Sequence, residues 1–137
     1  MERRTYSRLT VDIPGTLIKN NQEIPINIYN ICENGIGFRY KFKDCPDNFT
    51  FKKNEVFEIT FYDESNNEIN VIKDSQRVQI CKFEVKQIRK HSTHAYIGGV
   101  LKSSDNEYAN YVLNKKTNRF INRIRYSQIG QLNYAKN

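Results

Sequence analysis

Cysteine and histidine are scarce in this chain. Cys32, Cys45 and Cys81 are odd in number and widely spaced, with no C-x-x-C pair, and only two histidines accompany them. Such a set holds neither a disulfide framework nor a zinc site, so each thiol reads as reduced and partly buried. Long apolar runs are also missing. No stretch approaches the roughly 20 apolar residues that cross a bilayer, and the opening Met1-Glu2-Arg3-Arg4-Thr5-Tyr6-Ser7-Arg8 lacks the apolar segment of a secretory signal. A cytoplasmic protein without membrane insertion is expected. Catalytic signatures are absent as well: there is no Gly-rich nucleotide loop, no acid pair, and no motif tying His91 or His94 to Cys or Asp. His91 and His94 read as surface residues, and no enzyme, metal or cofactor is expected.

What is present fits one folded domain over residues 1–137. Hydrophobic residues make up 38% of the chain and include eight Phe and nine Tyr, enough for a core and too much for a disordered segment. The net charge is +7, and its placement is informative. Residues 1–10 carry three Arg against Glu2, residues 11–101 carry 12 basic and 12 acidic side chains, and residues 102–137 carry seven basic against Asp105 and Glu107. A protein that coats a polyanion spreads basic residues over its folded body, so nucleic acid is not the partner expected. Basic charge gathered at the ends suits a small anion, or a charged partner surface, gripped by a short arm.

From Leu9 to Leu101 the apolar period is that of strands. Val11, Ile13, Gly15 and Leu17 alternate with polar or small residues, as do Ile24, Ile26 and Ile28, then Phe57, Ile59 and Phe61. Turn signals separate the runs at Lys19-Asn20-Asn21-Gln22, Glu33-Asn34-Gly35, Asp44-Cys45-Pro46-Asp47-Asn48 and Glu64-Ser65-Asn66-Asn67. Further strands are predicted over 36–42, 68–72, 78–88 and 94–101. Six or seven short antiparallel strands imply a small barrel or sandwich covering 11–103.

After Ser103 the period changes. Ser103-Ser104-Asp105-Asn106-Glu107 opens a helix predicted over 104–127. Ala109, Leu113, Thr117, Phe120 and Ile124 draw an apolar stripe along it, with Val112 and Ile121 beside them. This stripe is expected to pack on the sheet or on a second copy, making the protein a monomer or a homodimer. Lys115, Lys116, Arg119 and Arg123 take the other sides and suit the helix dipole. Residues 128–137 read as a polar, frayed tail.

Two short motifs carry chemistry. In Arg3-Arg4-Thr5-Tyr6-Ser7-Arg8, guanidinium groups four residues apart on a mobile arm can donate paired hydrogen bonds to phosphate oxygens or to the guanine edge, and stack on a base. Tyr6 offers a further stacking surface or a cover for the mouth of the fold. In Asn30-Ile31-Cys32-Glu33-Asn34-Gly35 a tight turn follows a strand. Asn34 and Gly35 are expected to take positive φ there, letting backbone approach a ligand while the Asn30 amide presents a donor and an acceptor.

An R-x-x-x-R arm, a strand, a [D/N]-x-S-x-x-G turn, then Tyr96-Ile97-Gly98-Gly99-Val100 before a C-terminal helix resembles a PilZ domain from Arg3 to about Ile124. The resemblance implies a mainly β fold, a six-stranded antiparallel barrel with a flexible N-terminal arm and a C-terminal helix, that binds cyclic di-GMP. It assigns Arg4 and Arg8 to guanine and phosphate, Asn30 and Gly35 to the pocket wall, and Arg3 to a stacked pair of ligand molecules. Gly98 and Gly99 join the ligand-binding set. The family's serine is Cys32 here, and a thiol is the poorer hydrogen-bond partner, which weakens one ligand contact worth about 0.5–1.5 kcal/mol. By the same resemblance the partners are cyclic di-GMP and an effector protein bound in trans, in motility or exopolysaccharide control. Two other readings remain: a PilZ-like adaptor that acts through protein contacts alone, and a barrel that binds nucleic acid.

Overall fold

The computed structural model describes residues 7–47, 49–63, 76–102 and 106–135. Six strands come first: β1 (Leu9–Lys19), β2 (Gln22–Cys32), β3 (Gly35–Lys41), β4 (Val56–Asp63), β5 (Gln76–Lys90) and β6 (His94–Leu101). One helix, α1 (Asn106–Ala135), follows them. Every neighbouring pair is antiparallel and the order β1-β2-β3-β6-β5-β4 closes on itself through β1 and β4, so this barrel leaves no open edge. The predicted strand over 68–72 falls outside the described residues.

Alternation sends one face of each strand inward. Leu17, Ile24, Ile26, Ile28, Ile59 and Phe61 are all buried, at the two-residue spacing that the pleat imposes. The β1–β2 hairpin turns on Asn20 and Asn21, at φ 53° and 62°. A two-residue turn with both residues left-handed matches strand twist, and Asn tolerates that region better than most side chains. Inside, Phe38 is fully buried, with the rings of Phe51, Phe57 and Phe83 at 6.2, 6.4 and 5.7 Å. Edge-on and tilted rings at such distances attract beyond the area they bury.

The helix departs from expectation in two ways. It runs to Ala135, so the stretch read as a polar tail is largely helical. No proline interrupts it, the glutamines in it are good helix formers, and Gly130 costs only about 1 kcal/mol. The residues that meet the barrel are also different. Tyr108, Tyr111 and Val112 are buried, with the Tyr111 ring 5.1 Å from Phe61, whereas Leu113, Phe120 and Ile124 of the predicted stripe are exposed. Two tyrosines with apolar bodies and polar tips do the packing that the aliphatic period suggested for their neighbours.

Phe38→Ala is expected to cost about 3–5 kcal/mol, read as a drop in the urea midpoint at unchanged slope. A loss below about 1 kcal/mol would mean that the four-ring cluster collapses around the void.

Candidate ligand-binding site

On the outer wall of the barrel, Gly37 of β3 pairs with Gly98 of β6. Neither carries a side chain, so the sheet here is bare backbone. On each side a strand slips by one residue. Between Ile28 and Asn30, β2 has Tyr29 in excess against β3, and between Val85 and Gln87, β5 has Lys86 in excess against β6. A bulge of this kind turns two consecutive side chains to the same face. Tyr29 with Asn30, and Lys86 with Gln87, therefore stand as walls beside a glycine floor. Gly37 is demanded by this arrangement, because a Cβ there would lie 2.4 Å from Asn30 Oδ1 and 2.9 Å from Tyr29 Cζ.

The β2–β3 turn closes one end. No described glycine has positive φ and Asn34 does not either, so the left-handed turn expected at Asn34-Gly35 is not formed. Gly35 is needed for a different reason: a Cβ would lie 2.8 Å from the Gly99 carbonyl oxygen. Gly99 is confined in turn by Glu84 O at 2.1 Å and the Phe83 ring at 2.5 Å from its own would-be Cβ. Beside the turn the Cys32 thiol donates to Asn34 Oδ1 at 3.1 Å. Below it the Tyr108 hydroxyl donates to the Gly35 carbonyl at 2.6 Å. Burial raises the Tyr108 phenol well above its ordinary value, which keeps it a donor at any physiological pH. Lys116 adds hydrogen bonds to both Glu33 carboxylate oxygens at 2.8 and 3.0 Å, and Arg119 donates to the Thr10 carbonyl. The root of α1 is thus fastened to the turn and to the start of β1.

These elements enclose a cavity of about 270 Å³. Of the residues singled out by sequence, Arg8, Asn30, Cys32, Gly35, Gly98 and Gly99 all line it. Arg3, Arg4 and Tyr6 lie outside the described residues. Sequence reasoning missed Tyr29, Gly37, Lys86 and Gln87, which also line it. An outward Tyr next to an Asn in mid-strand was the one available signal. The contribution of β5 depends on a register that no local pattern reveals. Past Tyr29 and Lys86 the cavity opens into a wider groove that adds Lys53 and Arg89, so cations border it on several sides. Arg89 sits over the Tyr96 ring at 5.4 Å, and the Tyr29 ring meets Tyr96 edge-on at 5.3 Å, which fixes the Tyr29 plane.

Glu84 stands behind this wall. Its carboxylate pairs with Lys86 at 2.5 Å and Lys102 at 3.1 Å. Hydrogen bonds from Lys86 and then Lys102 hold its pKa below the ordinary 4.5. The same pairing anchors Lys86 at the base of the cavity.

No protein-family model matches the sequence, and no curated protein matches it significantly. Solved structures match it in shape. The Bacillus subtilis inhibitor of motility MotI/DgrA superposes at a TM-score of 0.67 and 16% identity, over 89% of this chain and 53% of that one. YcgR of Escherichia coli in complex with c-di-GMP gives 0.61 and 10%, over 96% and 51%. The PilZ domain of E. coli YcgR with c-di-GMP gives 0.60 and 9%, over 82% and 87%. The chain spans about half the length of the first two. The likeness is one of fold, and the fold is PilZ-like.

Removing the Tyr108 hydroxyl leaves a buried carbonyl without its donor, so Tyr108→Phe is expected to cost about 1–3 kcal/mol in a denaturant melt. A neutral result would show that the turn does not depend on the Tyr108 hydroxyl. For Glu84 the folded pKa is depressed, so its contribution is present above about 4.5 and is lost as pH falls through the lower folded value. Glu84→Gln should therefore flatten the acid side of the stability profile as pH falls below the ordinary carboxylate value of 4.5; an unchanged slope would mean that the two lysines do not favour the carboxylate.

Proposed function

We propose that this protein is a receptor for cyclic di-GMP that changes conformation on binding and regulates a partner protein in trans, and that it is not an enzyme. The observation that carries this reading is the convergence of Arg8, Asn30, Cys32, Gly35 and Gly98 on one glycine-floored cavity. A cyclic dinucleotide is dianionic and carries two flat aromatic bases. It needs guanidinium forks for phosphate and guanine, a polar amide for a base edge, and bare backbone that lets a ring lie close. Arg8 supplies the first at the cavity, and Arg4, four residues earlier, supplies the second fork. Asn30 supplies the amide, Gly37 and Gly98 the bare floor, and Tyr29 an aromatic wall. Support also comes from the solved neighbours, two of which are described with c-di-GMP.

Ligand binding orders the arm over the cavity, and the entropy lost is offset by charge-assisted contacts. The bonds from Tyr108, Lys116 and Arg119 carry that change to α1, because the same turn and the same β1 start that receive the ligand also hold the helix. Motility is the first output to examine, since one neighbour is described as a motility inhibitor. The adaptor reading, in which protein contacts suffice, predicts that none of this depends on ligand.

Calorimetric titration separates the two. Arg4→Ala and Arg8→Ala are each expected to weaken cyclic di-GMP binding at least about tenfold, while moving ligand-free stability by no more than about 0.5 kcal/mol. Cys32→Ser, which replaces the weaker donor, should tighten it by up to about tenfold. Two ligands per chain would fit the stacked pair implied by Arg3. Variants that bind as the parent does would remove the pocket assignment, and a parent that binds no cyclic di-GMP would leave the adaptor.

A further inference from the structure

The outward face of α1 presents apolar side chains with no cover among the described residues. Leu113, Phe120, Ile121 and Ile124 are 56%, 64%, 40% and 41% exposed, while Tyr108, Tyr111 and Val112 of the same helix are buried on the barrel. At about 100° per residue, Leu113, Thr117, Phe120 and Ile124 lie roughly 120–180° round from Tyr108. The stripe therefore points away from the barrel. The helix has 30 residues, about 45 Å of rise, and among the described residues Lys116 and Arg119 are the last that bond to the barrel. Helices of ordinary composition draw most of their stability from packing, so a second surface is required along the stripe.

We propose that α1 pairs with α1 of a second copy of this chain, parallel and in register, to form a two-fold dimer with the barrels on its outer sides. Asn110, Leu113, Thr117, Phe120 and Ile124 follow one another at steps of three, four, three and four, the spacing of a two-stranded seam with Asn110, Thr117 and Ile124 at a and Leu113 and Phe120 at d. An Asn at an a position meets its own copy in a parallel dimer and sets register there. The flanks decide the orientation. One carries Lys116 and Arg123, the other Asn114 and Ile121. Parallel strands set each cationic flank against the partner's neutral one, whereas antiparallel strands oppose cation to cation. The seam itself is uncharged and Lys116 is already bound to Glu33, which favours a like surface over an acidic one. Among the described residues the cations beside the seam, Lys116 and Arg123, lie on one flank, whereas an interfacial helix borders its apolar face with them on both, which disfavours a bilayer. Each barrel packs on the face of α1 opposite the seam, through Tyr108, Tyr111 and Val112.

This inference does not rest on the ligand reading, and its test needs no ligand. Sedimentation velocity of the full chain across micromolar concentrations is expected to show a dimer. Phe120→Asp should raise its dissociation constant at least about 30-fold, with the barrel's melting transition intact. Leu113→Asp should do the same if the first variant perturbs the helix. In oxidising buffer Asn110→Cys should cross-link two chains beyond the parent's level, since in-register a positions adjoin. A monomer throughout, a dimer indifferent to both aspartates, or a dimer without that cross-link would overturn the proposal. So would binding of a monomeric chain to phosphatidylglycerol-containing vesicles that Phe120→Asp abolishes, which would assign the stripe to a membrane surface.

Discussion

The pairing of Gly37 with Gly98 across β3 and β6 is the constraint on which the rest of the site depends. Two adjoining strands without side chains would be a weak point in an ordinary sheet, because glycine neither packs nor limits the unfolded chain. Here the gap is bordered by a bulge on each side, at Tyr29 and at Lys86. The bulges turn Tyr29, Asn30, Lys86 and Gln87 outward around it. The barrel interior below stays continuous: Ile28, Ile36, Phe38, Val85 and Ile97 remain buried. The cavity is thus made on the outside of a closed barrel without opening its core.

The same region also governs the helix. A Cβ on Gly35 would meet the Gly99 carbonyl and one on Gly99 would meet Glu84 O and the Phe83 ring, and the Tyr108 hydroxyl bonds to the carbonyl of Gly35. One short segment, from Cys32 to Gly37, faces the cavity on one side and the root of α1 on the other. A ligand that moves this turn acts on a rigid lever. A coupling of this kind requires that the two states differ in their contacts with the ligand, and the start of β1, where Arg119 bonds to the Thr10 carbonyl, adjoins the same site.

Much of the barrel was legible before any coordinates. Alternation in β1, β2 and β4, and turn residues such as Asn20-Asn21, carry local information, and the structure places them as read. The site was legible only in part. Arg8, Asn30, Cys32, Gly35, Gly98 and Gly99 come together because their motifs lie on strands that meet, yet the reason for Gly35 was misread: it is crowding by Gly99, not left-handed backbone. That distinction depends on a strand 64 residues away and leaves no local trace. Bulges are likewise properties of a strand pair, so Lys86 gave no signal of its role and Tyr29 only that of a Tyr beside an Asn in mid-strand. On α1 the aliphatic period pointed to one stripe, whereas Tyr108 and Tyr111, polar by the usual scales, make the barrel contact.

The most direct test of the central claim is an amide NMR titration of isotope-labelled protein with cyclic di-GMP, with GTP and a linear dinucleotide as controls. The account predicts saturable shifts at Gly35, Gly37 and Gly98 with the cyclic ligand alone. Shifts confined to other parts of the barrel, or none at all, would contradict it.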